Sequence, residues 1–137
     1  MNKDDVVDII RDAGYGFLAT IDGQQPRVRP LMPYFDEEFN HFLIALGPNS
    51  RAKEQIKKNA NVEICFVDRT MNFCRVTGAA DTSDDMDKKQ CLWDNSPMMK
   101  QYFSGPEDEN LTLMVVKPSQ VEGMNPHLEA PEVISLD

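Results

Sequence analysis

The sequence is short of cysteine, histidine and positive charge, and each shortage removes a class of function. Its three cysteines, Cys65, Cys74 and Cys91, are odd in number and lack metal-ligand spacing, which argues against a disulfide framework or a zinc site. Each falls within an apolar pattern and reads as a small buried hydrophobe. The two histidines, His41 and His127, lie far apart with no acidic or thiol cluster beside them, so no metal site is expected. Neither stands near a serine or cysteine in a pattern that would suggest a nucleophile. No apolar run approaches the roughly 20 residues needed to span a bilayer. The start, Met1-Asn2-Lys3-Asp4-Asp5, is acidic and unlike a secretory leader. A cytoplasmic protein without a membrane partner is the expectation.

Lysine and arginine number 14 against 23 acids, a formal charge of −9. Nucleic acid is therefore excluded as an expected partner, because phosphate-backbone binding needs a positive surface. The few cations are unevenly placed. Between Gly47 and Lys58 the only acid is Glu54, against Arg51, Lys53, Lys57 and Lys58; past Ser104 the only base is Lys117, against seven acids. A basic pocket on an acidic body suits a small anionic ligand.

The remaining text is patterned for one domain. Val6, Val7, Ile9, Ile10 and Ala13 have helical spacing and Gly14 is a stop signal. Tyr15 to Ile21 is a strand, Asp22-Gly23 a hairpin turn. The following strand puts Arg27, Arg29 and Leu31 on one face and Val28, Pro30 and Met32 on the other; its prolines predict an edge or a bulge. Phe42 to Leu46 reads as a strand that feeds a loop and a helix from about Asn49 to Asn59. Strands are expected over Val62–Phe66 and Asn72–Asp81, with Gly78 marking a bulge. A helix over Asp84–Asn95 precedes a shorter one that begins at Pro97 and ends near Phe103. Leu111–Val116 reads as a central strand, Gln120–Met124 as a further one. Residues 1–124 form the expected domain and 125–137 a tail or arm. Six or seven strands joined mostly by hairpins, with short helices inserted, fit a closed antiparallel β-barrel and not a βαβ fold.

Backbone N–H groups at a helix start favour an anion. With the Arg27–Arg29 strand paired as a hairpin, Arg27, Arg29, Arg51 and Lys53 could converge on one phosphate, which two guanidinium forks would suit. Ser50 reads as a helix cap. Trp93, Met98 and Met99 read as packing residues, and no catalytic side chain is identified.

Four segments together resemble the flavin-binding split-barrel superfamily of pyridoxamine 5′-phosphate oxidase and its general-stress-protein-like relatives: Gly16-Phe17-Leu18-Ala19-Thr20, Pro26-Arg27-Val28-Arg29-Pro30, Asn49 through Glu63, and Arg75-Val76-Thr77-Gly78-Ala79-Ala80. The resemblance covers roughly residues 15 to 117. It implies a mainly β, six- to seven-stranded antiparallel split barrel of Greek-key type with short helices. It also implies a homodimer that binds FMN in two clefts at the subunit interface. Arg27 or Arg29 with Ser50, Arg51 and Lys53 would contact the phosphate, and the backbone around Pro30 and Leu31 would run beside the isoalloxazine ring. Residues near Arg75 or Trp93 of a second subunit would close the cleft. Where relatives often carry a lysine two residues after the serine this chain has Ala52, so Arg51 or Lys53 must substitute. The acidic tail has no counterpart to the oxidase's arginine-rich substrate segment, so pyridoxamine phosphate oxidation is not expected. The expected function is an FMN-dependent oxidoreductase acting on a small molecule with NAD(P)H as electron partner. The alternatives are a non-catalytic flavin store, carrier or sensor, or a module for haem or a deazaflavin.

Overall fold

The computed structural model describes residues 1–137. Helix α1 (Lys3–Ala13) is bounded at both ends by local chemistry. Asn2 accepts from the Asp5 N–H while the Asp5 carboxylate accepts from the Asn2 N–H, and Gly14, at φ +76°, ends the helix. Its apolar stripe, Val6, Val7, Ile9 and Ile10, is buried. The strands are β1 (Gly16–Asp22), β2 (Gln25–Leu31), β3 (Tyr34–Phe35), β4 (Phe42–Leu46), β5 (Asn61–Val67), β6 (Phe73–Ser83), β7 (Thr112–Met124) and β8 (Glu132–Val133). Helix α2 (Ala52–Lys58) links β4 to β5, and α3 (Met86–Asn95) with α4 (Met99–Tyr102) links β6 to β7.

All pairings are antiparallel, in the order β2-β1-β5-β6-β7-β4-β3, with β8 added to β7. Consecutive strands β2 and β3 thus lie at opposite ends of the path, and no ladder joins them. The result is a mainly antiparallel sheet curled into a half-barrel with a few short helices, the split-barrel class that was expected, open between β2 and β3 where the strand pattern by itself suggested closure. Leu18, Ile64, Val76 and Val121 form one inward row across four strands. They belong to a core of 21 buried residues that includes Phe42 and Phe66, and α1 covers part of it. A second core of six, among them Leu43, Leu92, Met99 and Leu113, lies where α3 and α4 pack on the other face of β4 and β7. Alternation along β4 and β7 therefore feeds two cores, which is why both strands read as nearly continuous apolar runs.

Several expectations shift at their edges. Gln120–Met124 is no separate strand; it continues β7 past Pro118, and the register change falls at Thr77/Gly78, where the bulge was expected. Helix α2 starts at Ala52 and α4 at Met99, later than Asn49 and Pro97. The segment after Met124 lies against the body: β8 pairs with Glu122 and Gly123, the Ile134 N–H donates to the Val121 carbonyl, and Ile134 is buried in the core. No helix is long and apolar enough to cross a membrane.

Candidate functional site

The inward face of β1 and β2 is apolar at Leu18 and becomes polar toward the hairpin. Thr20 is buried, and opposite it and Leu18 stand Arg27 and Arg29. Helix α2 lies against this end of β1, and its stripe at Ala52, Gln55 and Ile56 is buried. Two of those three belong to the core, so Gln55 is drawn in with them and must find its partners inside. It does so in a closed triangle: Arg29 donates through Nη1 to Thr20 Oγ1 at 2.7 Å and through Nη2 to Gln55 Oε1 at 2.8 Å, and the Thr20 hydroxyl donates to the same Gln55 oxygen at 2.5 Å. A guanidinium can only donate, so the Gln55 atom facing it must be oxygen, and the amide NH2 is turned the other way. Gln55 lines a polar cavity of about 430 Å³ whose wall also includes Ser50, Arg51, Lys53, Asp22 and Glu54.

The electrostatics of this corner are unusual. Arg29 is half-buried and has no carboxylate partner; both groups it touches are neutral. Burial alone moves its pKa below the ordinary arginine value, yet a guanidinium remains charged at any physiological pH. A desolvated cation held only by neutral acceptors costs free energy that an incoming anion offsets. Arg27 is different: its Nε bonds Asp22 Oδ2 at 3.3 Å at the exposed rim. Arg51 is exposed and Lys53 half-buried; both line the cavity without an ion pair. Ser50 Oγ accepts from the Ala52 N–H at 3.3 Å, and Arg51 is the residue that precedes the helix. Ala52 points into the core, where a lysine could not replace it without burying its charge.

Pro30 and Leu31 line a second cleft, of about 540 Å³, on the other side of the Gly47–Pro48 turn. Its walls are Met32, Ile44, Ala45 and the apolar side of α3 and α4, and no charged residue contributes to it. Pro48 is common to the two cavities. Arg75 lies elsewhere, on the outward face of the sheet, in a row with Pro30, Phe17, Cys65 and Glu122. Its Nη2 reaches Glu122 Oε1 at 2.6 Å and its guanidinium stands 5.4 Å from the Phe73 ring centre, while its Nε is buried with no acceptor. Around it the outward face is exposed and largely apolar, with Tyr15, Phe17, Val28, Met32 and Val133. Burial pushes the neighbouring Cys65 thiol up, against the pull of Arg75, and pushes Cys74 up to about 12; neither is a nucleophile at neutral pH.

Within one chain, then, the structure gathers Ser50, Arg51 and Lys53 around the polar cavity, connects Arg29 to that cavity through Gln55, pairs Arg27 with Asp22 of its wall, and leaves Arg75 on the outward face with Glu122. Thr20 and Gln55 were missed. The signals were present: Thr20 shares the inward face with Leu18, and Gln55 falls three residues after Ala52 and one before Ile56 on the buried stripe of α2.

Residues 2–124 match the family model described as "Pyridoxamine 5′-phosphate oxidase like". The chain belongs to the pyridoxamine 5′-phosphate oxidase-like family. General stress protein 26 of Bacillus subtilis is 25% identical to this family member over 138 residues, covering 98% of this chain and 96% of that protein. Among solved structures, a pyridoxamine 5′-phosphate oxidase-related, FMN-binding protein from Nostoc punctiforme superposes with a TM-score of 0.72 at 19% identity, over 95% of this chain and 85% of the other. A haem-binding protein from Mycobacterium smegmatis superposes with a TM-score of 0.79 at 10% identity, over 98% of this chain but 57% of the other. At these identities the two structures speak for a shared fold. The family member described here combines that fold with an uncompensated arginine beside a polar cavity.

Proposed function

We propose that this protein is an FMN-binding flavoprotein. The observation that carries the reading is Arg29, a half-buried cation with no acidic partner, held by Thr20 and by Gln55, which itself lines the polar cavity. A phosphate dianion is the group such a corner lacks. Arg29 is pre-positioned by its two neutral acceptors, so little side-chain entropy is lost when an anion arrives. Lys53, Arg51, Ser50 and the free amide of Gln55 complete the donor set around the cavity. Asp22 and Glu54 share that wall, and Arg27 neutralises the first. The uncharged cleft beside Pro30 and Leu31 suits the flat ring system at the other end of the same molecule.

FMN would supply hydride or electron transfer to or from its ring. The chain's own part is to anchor the phosphate, hold the ring against the backbone at Pro30–Met32, and keep water from that face. A small-molecule oxidoreductase with NAD(P)H as electron partner is the activity this arrangement suits, and it needs no acid or base side chain from the protein. The apolar outward face of β1 and β2 suits a second copy of the chain, which would bury Tyr15, Phe17 and Val28 and bring a second Arg75 near the cleft. No histidine or cysteine lines the apolar cleft, although three methionines and Tyr102 do; FMN is preferred to haem because the neighbouring basic cavity suits a phosphate.

The experiment is to incubate the purified protein with FMN, desalt it, and record its visible spectrum beside that of an Arg29→Ala/Arg51→Ala variant. Retained flavin bands in the parent and their loss in the variant are expected. A colourless parent protein would overturn the flavin reading; equal retention in both would overturn the phosphate assignment.

A further inference from the structure

The cleft beside Pro30 carries more information than its proximity to the polar cavity. Not one of its 14 lining residues is charged, although the chain as a whole is rich in charge. Three thioethers, Met32, Met98 and Met99, and two rings, Tyr102 and Phe103, supply most of its polarisable surface. Sulfur and aromatic groups of this kind favour the faces and edges of a flat conjugated molecule. Polar groups are sparse. They are Ser96 and Asn110 together with the Tyr102 hydroxyl, and none of the three side chains makes a hydrogen bond within the chain. The Asn110 backbone N–H is taken by Asp108, but its side-chain amide is not. The cleft therefore offers a slot of low polarity with a few free donors. A charged ligand would find no side chain of opposite charge there.

We infer that this cleft binds an uncharged, planar, conjugated molecule carrying acceptor oxygens, the chemistry of a quinone, and disfavours any ligand that would place a charge inside the cleft itself. The volume of about 540 Å³ lies in the range of small-molecule sites, which run from about 300 to 1,000 Å³. The inference deepens the flavin reading, because Pro30 to Met32 belong to both, but the binding step itself does not require flavin. Selectivity follows from the α3–α4 insert, which contributes Leu92, Ser96, Met98, Met99, Tyr102 and Phe103 to the wall. Of these, Met98 and Met99 read from sequence as packing residues. Met99 and Leu92 do pack, in the second core, and the cleft lies against them.

The test uses the full chain, with and without FMN. Duroquinone serves as the neutral probe, being fully substituted and so unable to arylate cysteines, and pyridoxine 5′-phosphate as the charged one. Binding is read by calorimetry. Duroquinone is expected to bind saturably, and Met32→Glu and Tyr102→Glu, both exposed positions, to weaken it at least tenfold. Met86→Glu, exposed but outside the cleft, should leave it unchanged. Pyridoxine 5′-phosphate is expected to bind at least tenfold more weakly than duroquinone in the cleft, with any residual binding insensitive to Met32→Glu. Absence of saturable duroquinone binding, or binding that neither substitution weakens, would overturn the inference even in a protein that retains FMN. Duroquinone binding to a protein that fails to retain FMN would support the cleft assignment while the flavin reading fell.

Discussion

Arg29 Nη2 donates to Gln55 Oε1 across 2.8 Å, joining the edge strand of the sheet to the short helix that follows β4. The same oxygen also accepts from the Thr20 hydroxyl, so one amide orients both a hydroxyl and a guanidinium. Replacing Gln55 by Ala frees Arg29 from its tether and leaves the buried Thr20 hydroxyl without an acceptor. A loss of about 1–3 kcal/mol of stability is expected from the unsatisfied group, measurable by urea unfolding at constant slope. On the flavin reading, Arg29→Ala weakens FMN binding by about ten- to a hundredfold, the worth of a hydrogen bond to a charged group. Arg27→Ala, already paired with Asp22 at the rim, has a much smaller effect. Flavin fluorescence titration checks both.

Gly78 stands at the register shift between β6 and β7. A Cβ there would lie 2.5 Å from the Lys117 carbonyl oxygen and 3.0 Å from the Val116 side chain. The nearest neighbour is backbone in a ladder, so it cannot swing aside as a flexible side chain could. Gly78→Ala is expected to destabilise by about 1–3 kcal/mol. Gly47→Ala, with nothing within 4 Å of the added Cβ, serves as the control and should be close to neutral.

The C-terminal segment contributes to the core through Ile134, 4% exposed and packed in the same cluster as Val6 and Val121. Ile134→Ala should cost about 2–5 kcal/mol, as large-to-small changes in cores do. If the segment were a free arm, the same substitution would be silent in a thermal melt.

Acid stability depends on Asp12 and Arg69, which tie α1 to the β5–β6 turn. Arg69 donates from its backbone N–H, from Nε at 2.9 Å and from Nη2 at 2.6 Å to the Asp12 carboxylate. The Arg69 side-chain hydrogen bond is the chief cause of a lowered Asp12 pKa. A carboxyl whose folded pKa is depressed contributes stability that is fully present above its unfolded value of 3.8 and is lost as pH falls through the folded value. Unfolding free energy should therefore fall below about pH 4, and Asp12→Asn should lower stability at pH 7 while flattening that acid limb. Denaturant titrations at a series of pH values from neutral to 2.5 check the sign.

The outward face of β1 and β2 leaves Val28 65% and Tyr15 51% exposed beside the edge strand. If a second copy covers this face, Val28→Glu places a charge inside the interface and converts a dimer to a monomer with little change in the fold of each chain. Sedimentation velocity on parent and variant decides it. A parent that already sediments as a monomer would remove the second-copy reading.

Much of this molecule was legible in one dimension. Period-two alternation marked the strands, and helical spacing with Asn2 and Gly14 at its ends marked α1. Prolines in β2 announced an edge strand, and Gly78 announced a bulge. These features depend on neighbours within a few residues, so local chemistry suffices to read them. Arg29, Arg51 and Lys53 stood out as candidates because cations are scarce here, and Ser50 because it stands beside Arg51 ahead of a helix.

Tertiary structure alone decided which side of the sheet each cation serves. Arg29 and Arg75 are both alternating strand arginines, yet pairing register sends one inward to Thr20 and Gln55 and the other outward to Glu122. A strand's faces are known from sequence only up to a choice of which one meets the core, and the ladder makes that choice. The open path between β2 and β3, the continuation of β7 past Pro118 and the docking of Ile134 likewise depend on contacts between residues far apart in the chain. The placement of a few cations along an acidic chain pointed to an anion; the partnering of Arg29 with two neutral acceptors, and of Arg27 and Arg75 with carboxylates, singles out Arg29 as the strand arginine without a counter-charge.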